Sequence, residues 1–320
     1  MMMEMKNKIV LKIENKRKLW LKVCFTFFIS INLYSQQLPN YTQYLYNMQI
    51  LNPAYVGARA ELSMSLLSRQ QWVGVPGAPV TRTFSINGRT QNGVGIGATV
   101  VNDKIGLSES TNFNVDASYT IVTSQYSRLS FGLKGGITTY SNNLANGITV
   151  DSEVYASTSG NFPNVGFGAF FYSRKFYMGL SIPYLLETPQ FYIEDNLKET
   201  RLADNANYFL TTGAIFELTD NILFKPSTMV RYTSNLPISI DLNANFLYRD
   251  IIETGISYRY QNSISALFAL IVNKKFRVGY AYDYKLQTLG NNLSSHEIIF
   301  HIDINLKRNT RWLAHNKCYF

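Results

Sequence analysis

The stretch Ile238-Ser-Ile-Asp-Leu-Asn-Ala-Asn-Phe-Leu-Tyr248 decides the fold. Ile238, Ile240, Leu242, Ala244, Phe246 and Tyr248 stand at alternate positions, with Ser239, Asp241, Asn243 and Asn245 between them. In an extended chain successive side chains point to opposite faces, so a period of two gives a strand with one apolar and one polar face. Residues 112–121 repeat the pattern, with Phe113, Val115, Ala117, Tyr119 and Ile121 against Asn112, Asn114, Asp116, Ser118 and Thr120. Near the end of the chain Ile298, Phe300, Ile302 and Ile304 alternate with His301, Asp303 and Asn305.

Working outward, this periodicity predicts fourteen strands, near 61–70, 80–87, 93–101, 111–122, 128–140, 165–172, 176–184, 207–217, 221–232, 238–248, 251–260, 264–272, 275–284 and 296–306. Most have the length that crosses a bilayer when tilted, about 9–11 residues. Every second connection is short (88–92, 123–127, 173–175, 218–220, 249–250 and 273–274). The alternate connections are 71–79, 102–110, 141–164, 185–206, 233–237, 261–263 and 285–295, most of them longer. Short turns on one side and longer loops on the other is the layout of an outer-membrane barrel, and an even strand number puts both ends on the short-turn, periplasmic side. The physics agrees: in hydrocarbon an open sheet edge leaves unpaired N–H and C=O groups, and closure removes it. The fold expected is all-β, a transmembrane antiparallel β-barrel at residues 61–306; a soluble sandwich or propeller is the competing architecture.

Composition excludes other classes. Of 320 residues, 46% are hydrophobic, 14% aromatic and 16% charged, against about 25% charged in an average soluble domain. That is too apolar for a disordered chain. A mean hydropathy of −0.08, without an apolar run of membrane-spanning length after residue 35, excludes a helical transporter. The net charge of +9 is concentrated at the start: residues 1–35 carry seven basic and two acidic residues, leaving a net of +4 on the remainder. That excess is no footprint for nucleic acid.

Residues 1–35 run from basic (to Lys22) through apolar (Val23–Leu33) to small and polar (Tyr34-Ser35). That order predicts a secretory signal peptide cleaved after Ser35, with an uncleaved membrane anchor as the alternative. Lys22 and Val23 before Cys24 argue against lipidation there, and cleavage leaves Cys318 as the single cysteine.

Residues 36–60 do not alternate. Asn52-Pro53 and Gly57 are turn formers, and Gln43 to Leu51 has room for one or two helical turns. This aromatic stretch is expected to fold into the lumen as a small plug. Lys134, Lys225, Arg231, Asp241, Glu253, Arg259, Arg277, Asp283 and Asp303 are expected on the inner face. Their mixed signs suit a lumen laced with ion pairs, one that grips a plug, or a solvated wall; a selective pore favours one sign.

The opening of the mature chain carries a family resemblance. Tyr41-Thr-Gln43-Tyr44, Asn52-Pro53-Ala54-Tyr55 with Gly57, Arg69-Gln-Gln-Trp72 and Gly77-Ala-Pro79 resemble the start of the PorP/SprF family. Pro163–Gly168, Phe224–Ser227 and Ser239–Asn243 follow in the same order. The resemblance implies an outer-membrane barrel of Bacteroidetes. It implies work in the type IX secretion system or gliding motility, on secretion or surface attachment of a large adhesin-type cargo with a type IX sorting domain. It also implies contact with periplasmic components of that machinery. The basic tail 307–320 after the last strand departs from the family pattern.

No catalytic, metal or cofactor constellation emerges. His296 and His301 stand five apart and face opposite ways on a strand, so they cannot share a metal. Gly93-Val-Gly-Ile-Gly97 lacks the helix and the Lys-Ser/Thr of a phosphate loop; glycine on a lumen face more simply permits close approach of a plug. The expectation is a non-enzyme without cofactors, with a passive channel for small or hydrophobic solutes as the competing function. Partner contacts are expected in the acidic, aromatic loops 141–164 and 185–206, through Asp151, Tyr155, Phe191, Tyr192 and Asp204, and in the tail, through Arg308 and Arg311.

Overall fold

The computed structural model describes residues 41–59, 62–90, 92–143, 158–186, 206–234, 236–273, 275–286 and 294–304. Its strands are β1 (Leu62–Gln70), β2 (Val80–Arg89), β3 (Val94–Ile105), β4 (Ser108–Val122), β5 (Ser127–Asn142), β6 (Thr158–Ser173), β7 (Phe176–Ile182) and β8 (Asn207–Ala214). There follow β9 (Phe216–Thr219), β10 (Ile222–Thr233), β11 (Ser239–Tyr248), β12 (Ile252–Arg259), β13 (Ser263–Val272), β14 (Phe276–Lys285) and β15 (Ser294–Ile304).

All pairings are antiparallel, β10 pairs with β11, and β15 returns to β1. The sheet is therefore a closed ring, and among the described residues only the short β9 is paired on one side alone. β8 and β9 both pair with β10 and form one stave broken at Ile215, beside a register shift at Ile222/Leu223. Fifteen strands thus make fourteen staves, the number that the alternation predicts.

One expected long loop is a tight turn. By its sequence the polar run 102–110 is expected to be a connection, but β3 and β4 continue through it to a turn at Gly106-Leu107, with Ile105 opposite Ser108. Gly106 takes a φ of +59°, and its N–H donates to Gly77 O at 2.9 Å. Likewise β6 begins at Thr158, inside the expected loop 141–164. In both places the hairpin extends past the apolar belt, where each face meets polar surroundings and alternation ceases to be selected.

The burial pattern is that of a water-soluble protein turned inside out. Outward residues are apolar: Leu133 is 69% exposed and Ile256 62%, with Phe131, Phe246, Phe268 and Phe300 also outside. Phe224 and Phe246 stack on this outer wall at 5.0 Å. Inward residues on the same strands are polar and buried, among them Asp116, Ser130, Lys134, Asn245 and Glu297. Only lipid around the wall and polar filling within it make that distribution favourable. The Leu133→Arg variant should therefore lose about 2–4 kcal/mol of barrel stability, measured by denaturant unfolding in lipid vesicles, whereas Leu133→Phe should leave it near the parent value.

Candidate functional site

The filling is the chain's own segment 41–58, nearly all of it buried. It forms three short 3-10 turns, Tyr44–Tyr46, Met48–Ile50 and Pro53–Tyr55. The last has a local cause: the Asn52 side chain accepts from Ala54 N–H at 2.9 Å, and Pro53 stands at the first helical position, where its fixed φ suits the turn. Too short to satisfy themselves, the turns bond to the wall.

Glu297 on β15 holds the segment's start. Its carboxylate accepts from Thr42 N–H at 2.9 Å and from Gln43 N–H at 2.7 Å. The Thr42 hydroxyl donates to Asp283 at 2.8 Å, and Arg69 on β1 joins both acids, at 2.5 Å to Asp283 and 2.9 Å to Glu297. Gln49 donates to Asp116 at 2.9 Å and accepts from Asn87 at 3.0 Å. Lys134 pairs with Asp116 at 3.1 Å. Further round, Asn52 donates to Ala169 O, Ser181 to Leu51 O, Ser118 to Val56 O and Asn243 to Tyr44 OH, all within 3.0 Å. Arg59 closes the segment on Asp303.

Glycines make the fit. A Cβ on Gly95 would strike Val56 O, on Gly132 the Pro53–Ala54 peptide, on Gly168 the Asn52 side chain, and on Gly279 the Gln43 side chain. Four staves thus yield side-chain volume to the segment. Tyr55 packs edge-on against Phe170 with centroids 5.5 Å apart. Elsewhere on the wall Arg259 grips Asp241 with two bonds, at 2.8 and 2.7 Å. Lys225 pairs with Glu253 at 3.1 Å, and Arg277 lies over the Tyr46 ring at 4.6 Å.

The structure thus brings Gln43, Tyr44, Asn52, Pro53, Ala54, Tyr55 and Gly57 into one segment, with Arg69, Lys134, Asp241, Arg259, Asp283 and Asp303 on the wall around it. Arg231 is buried on the wall at β10. Trp72 stands apart in the 71–79 loop, at a φ of 48° and 4.7 Å from Lys285. Asp151, Tyr155, Phe191, Tyr192, Asp204, Arg308 and Arg311 lie outside the described residues, as does the expected signal peptide. Sequence reasoning missed Glu297, although it occupies an inward position by the same parity as Asp303; it placed Asp116 on the polar face of its strand without marking it as a site residue. It also passed over Thr42, Asn47 and Gln49, which no periodicity marks.

His301 faces the lumen, 2.7 Å from Ser65 and 2.9 Å from Asp303, while His296 lies outside, 2.6 Å from Tyr280 OH. Among the described residues no cluster of three or more His, Cys, Asp or Glu could hold a metal.

The family model described as "Type IX secretion system membrane protein PorP/SprF" matches residues 33–302. No curated protein sequence matches the chain. Among solved structures it is similar to the outer membrane protein Omp33 of Acinetobacter baumannii, at 7% identity and a TM-score of 0.47, over 78% of this chain and 100% of that one. It is also similar to the CymD monoaromatic hydrocarbon channel, at 12% identity and a TM-score of 0.48, over 84% of this chain and 94% of that one.

Two variants test the grip. Glu297→Ala strips the partner from two amides and leaves Arg69 with one acid, and should cost about 3–5 kcal/mol, the range for breaking a buried pair; Glu297→Gln should recover part of it. Gly132→Leu, which keeps every charge, should expel the Pro53–Ala54 turn and render residues 41–58 sensitive to protease in a barrel that still resists unfolding in detergent.

Proposed function

The chain belongs to the PorP/SprF family of type IX secretion system membrane proteins, and from that premise we propose that it is an outer-membrane barrel that supports secretion or cell-surface attachment of a large adhesin-type cargo. The observation that carries this reading is the occupied lumen. A fourteen-stave barrel is wide enough to need filling or to leave a pore, and here residues 41–58 fill it, bonded to the wall at Glu297, Asp116, Ser118, Ser181 and Asn243. The segment occupies space that a cargo passing through the lumen would need. The barrel then serves as a membrane-held platform beside the route of export, with its cargo held outside the wall or at the loops.

In this reading residues 1–35 direct export and are removed, the acidic loops 141–164 and 185–206 meet the cargo's type IX sorting domain, and the basic tail 307–320 meets periplasmic components of the machinery. No catalytic step and no cofactor is assigned. Mixed lumen charges, neutralised in pairs such as Arg259–Asp241 and Lys134–Asp116, weigh against the competing channel for small solutes, since a selective pore favours one sign.

Crosslinking in intact cells, then affinity purification and mass spectrometry, tests the proposal. It should recover a very large secreted protein bearing a sorting domain, with periplasmic ring components. Recovery of lipid and general outer-membrane proteins alone would favour the channel. Replacing loop 185–206 with a short turn should abolish cargo recovery without loss of the barrel.

A further inference from the structure

The segment in the lumen has a direction, and the wall records it. β2 runs from Val80 at the long-loop end to Arg89 at the short-turn end. Along it Tyr41 OH meets Thr83 at 3.3 Å, Asn47 accepts from Ser85 at 2.9 Å, and Gly57 N–H donates to Asn87 at 3.3 Å. These are three successive inward positions, met in the order of the segment's own sequence. β15 gives a second ruler and runs the same way, from Ser294 at the long-loop end to Ile304. Thr42 and Gln43 are held at Glu297, and Arg59 at Asp303, six residues further down. At the rise of a strand, about 3.3 Å per residue, that separation is about 20 Å along the strand, or about 15 Å of depth at the usual strand tilt, about half the hydrocarbon thickness.

The chain therefore descends through the barrel. Its covalent tether to β1 is at the short-turn end, and its N-terminal end is at the long-loop end. We infer that the lumen segment is threaded with its free end outward, so that a chain processed after Ser35 presents its amino terminus at the extracellular mouth, although β1 itself begins at the periplasmic side. The two ends of the segment thus lie toward opposite faces of the membrane, Thr42 and Gln43 at Glu297 and Arg59 at Asp303. The inference rests on the cleavage read after Ser35 and on the barrel's orientation, and is independent of which cargo is served.

Cysteine labelling in intact cells with a membrane-impermeant maleimide tests it, in the full chain carrying Cys318→Ser. Val75→Cys in the 71–79 loop reports the outside and Asp250→Cys in the β11–β12 turn reports the periplasm. Gln37→Cys should label in intact cells at the rate of Val75→Cys, with no gain when the outer membrane is permeabilised. Labelling of Gln37→Cys only after permeabilisation, together with Asp250→Cys, would overturn the inference. Labelling of Asp250→Cys but not Val75→Cys in intact cells would overturn it too, through the orientation of the barrel. Should the cysteine impair assembly, an epitope inserted between Gln36 and Gln37 gives the same readout by antibody binding to intact cells.

Discussion

A carboxylate withdrawn from water is tolerated only when charges and hydrogen bonds replace its hydration, and the lumen of this barrel is organised around one such group. Glu297 is fully buried and holds two consecutive backbone N–H groups of residues 42 and 43 together with the Arg69 guanidinium. Each partner needs the other. The amides have no helix or sheet to satisfy them, and the arginine would face Asp283 alone. The same mutual dependence recurs at Asp116, which serves Lys134 from the wall and Gln49 from the segment. A wall that is apolar outside and charged inside is filled by its own chain, which supplies partners to these buried charges.

This accounts for the placing of small residues. Gly95, Gly132, Gly168 and Gly279 occur on inward faces of four different staves, where any Cβ would meet the segment. A glycine in a strand weakens it; here that cost is offset by close packing of the wall on the segment's backbone. The lumen is thus shaped sterically by glycines and electrostatically by ion pairs, and both are distributed around the ring. Family membership gives the location and the secretion system; the filled lumen is what bears on how the barrel takes part.

Much of this was legible in the sequence because each strand separates lipid from lumen. Leu242 and Phe246 against Asp241, Asn243 and Asn245 announce two solvents on two faces. Legibility failed where that contrast ends. At 102–110 and 158–164 the strands pass beyond the apolar belt, and polar residues on both faces read as loops. The 3-10 turns at 44–46, 48–50 and 53–55 carry no periodic signal, since their bonding partners lie up to 199 residues away. Asn52-Pro53 and Gly57 marked turns without showing what they would touch. Glu297 could have been found by carrying the inward parity of Asp303 back along the last strand.

The central claim is that residues 41–58 close the lumen, and conductance in planar lipid bilayers tests it most directly. The whole chain should show no steady open-pore current, while the chain lacking residues 41–58, checked as a folded barrel by its heat-dependent migration in detergent gels, should conduct in discrete steps. Equal steady conductance of both proteins would contradict the claim and would make the barrel a channel.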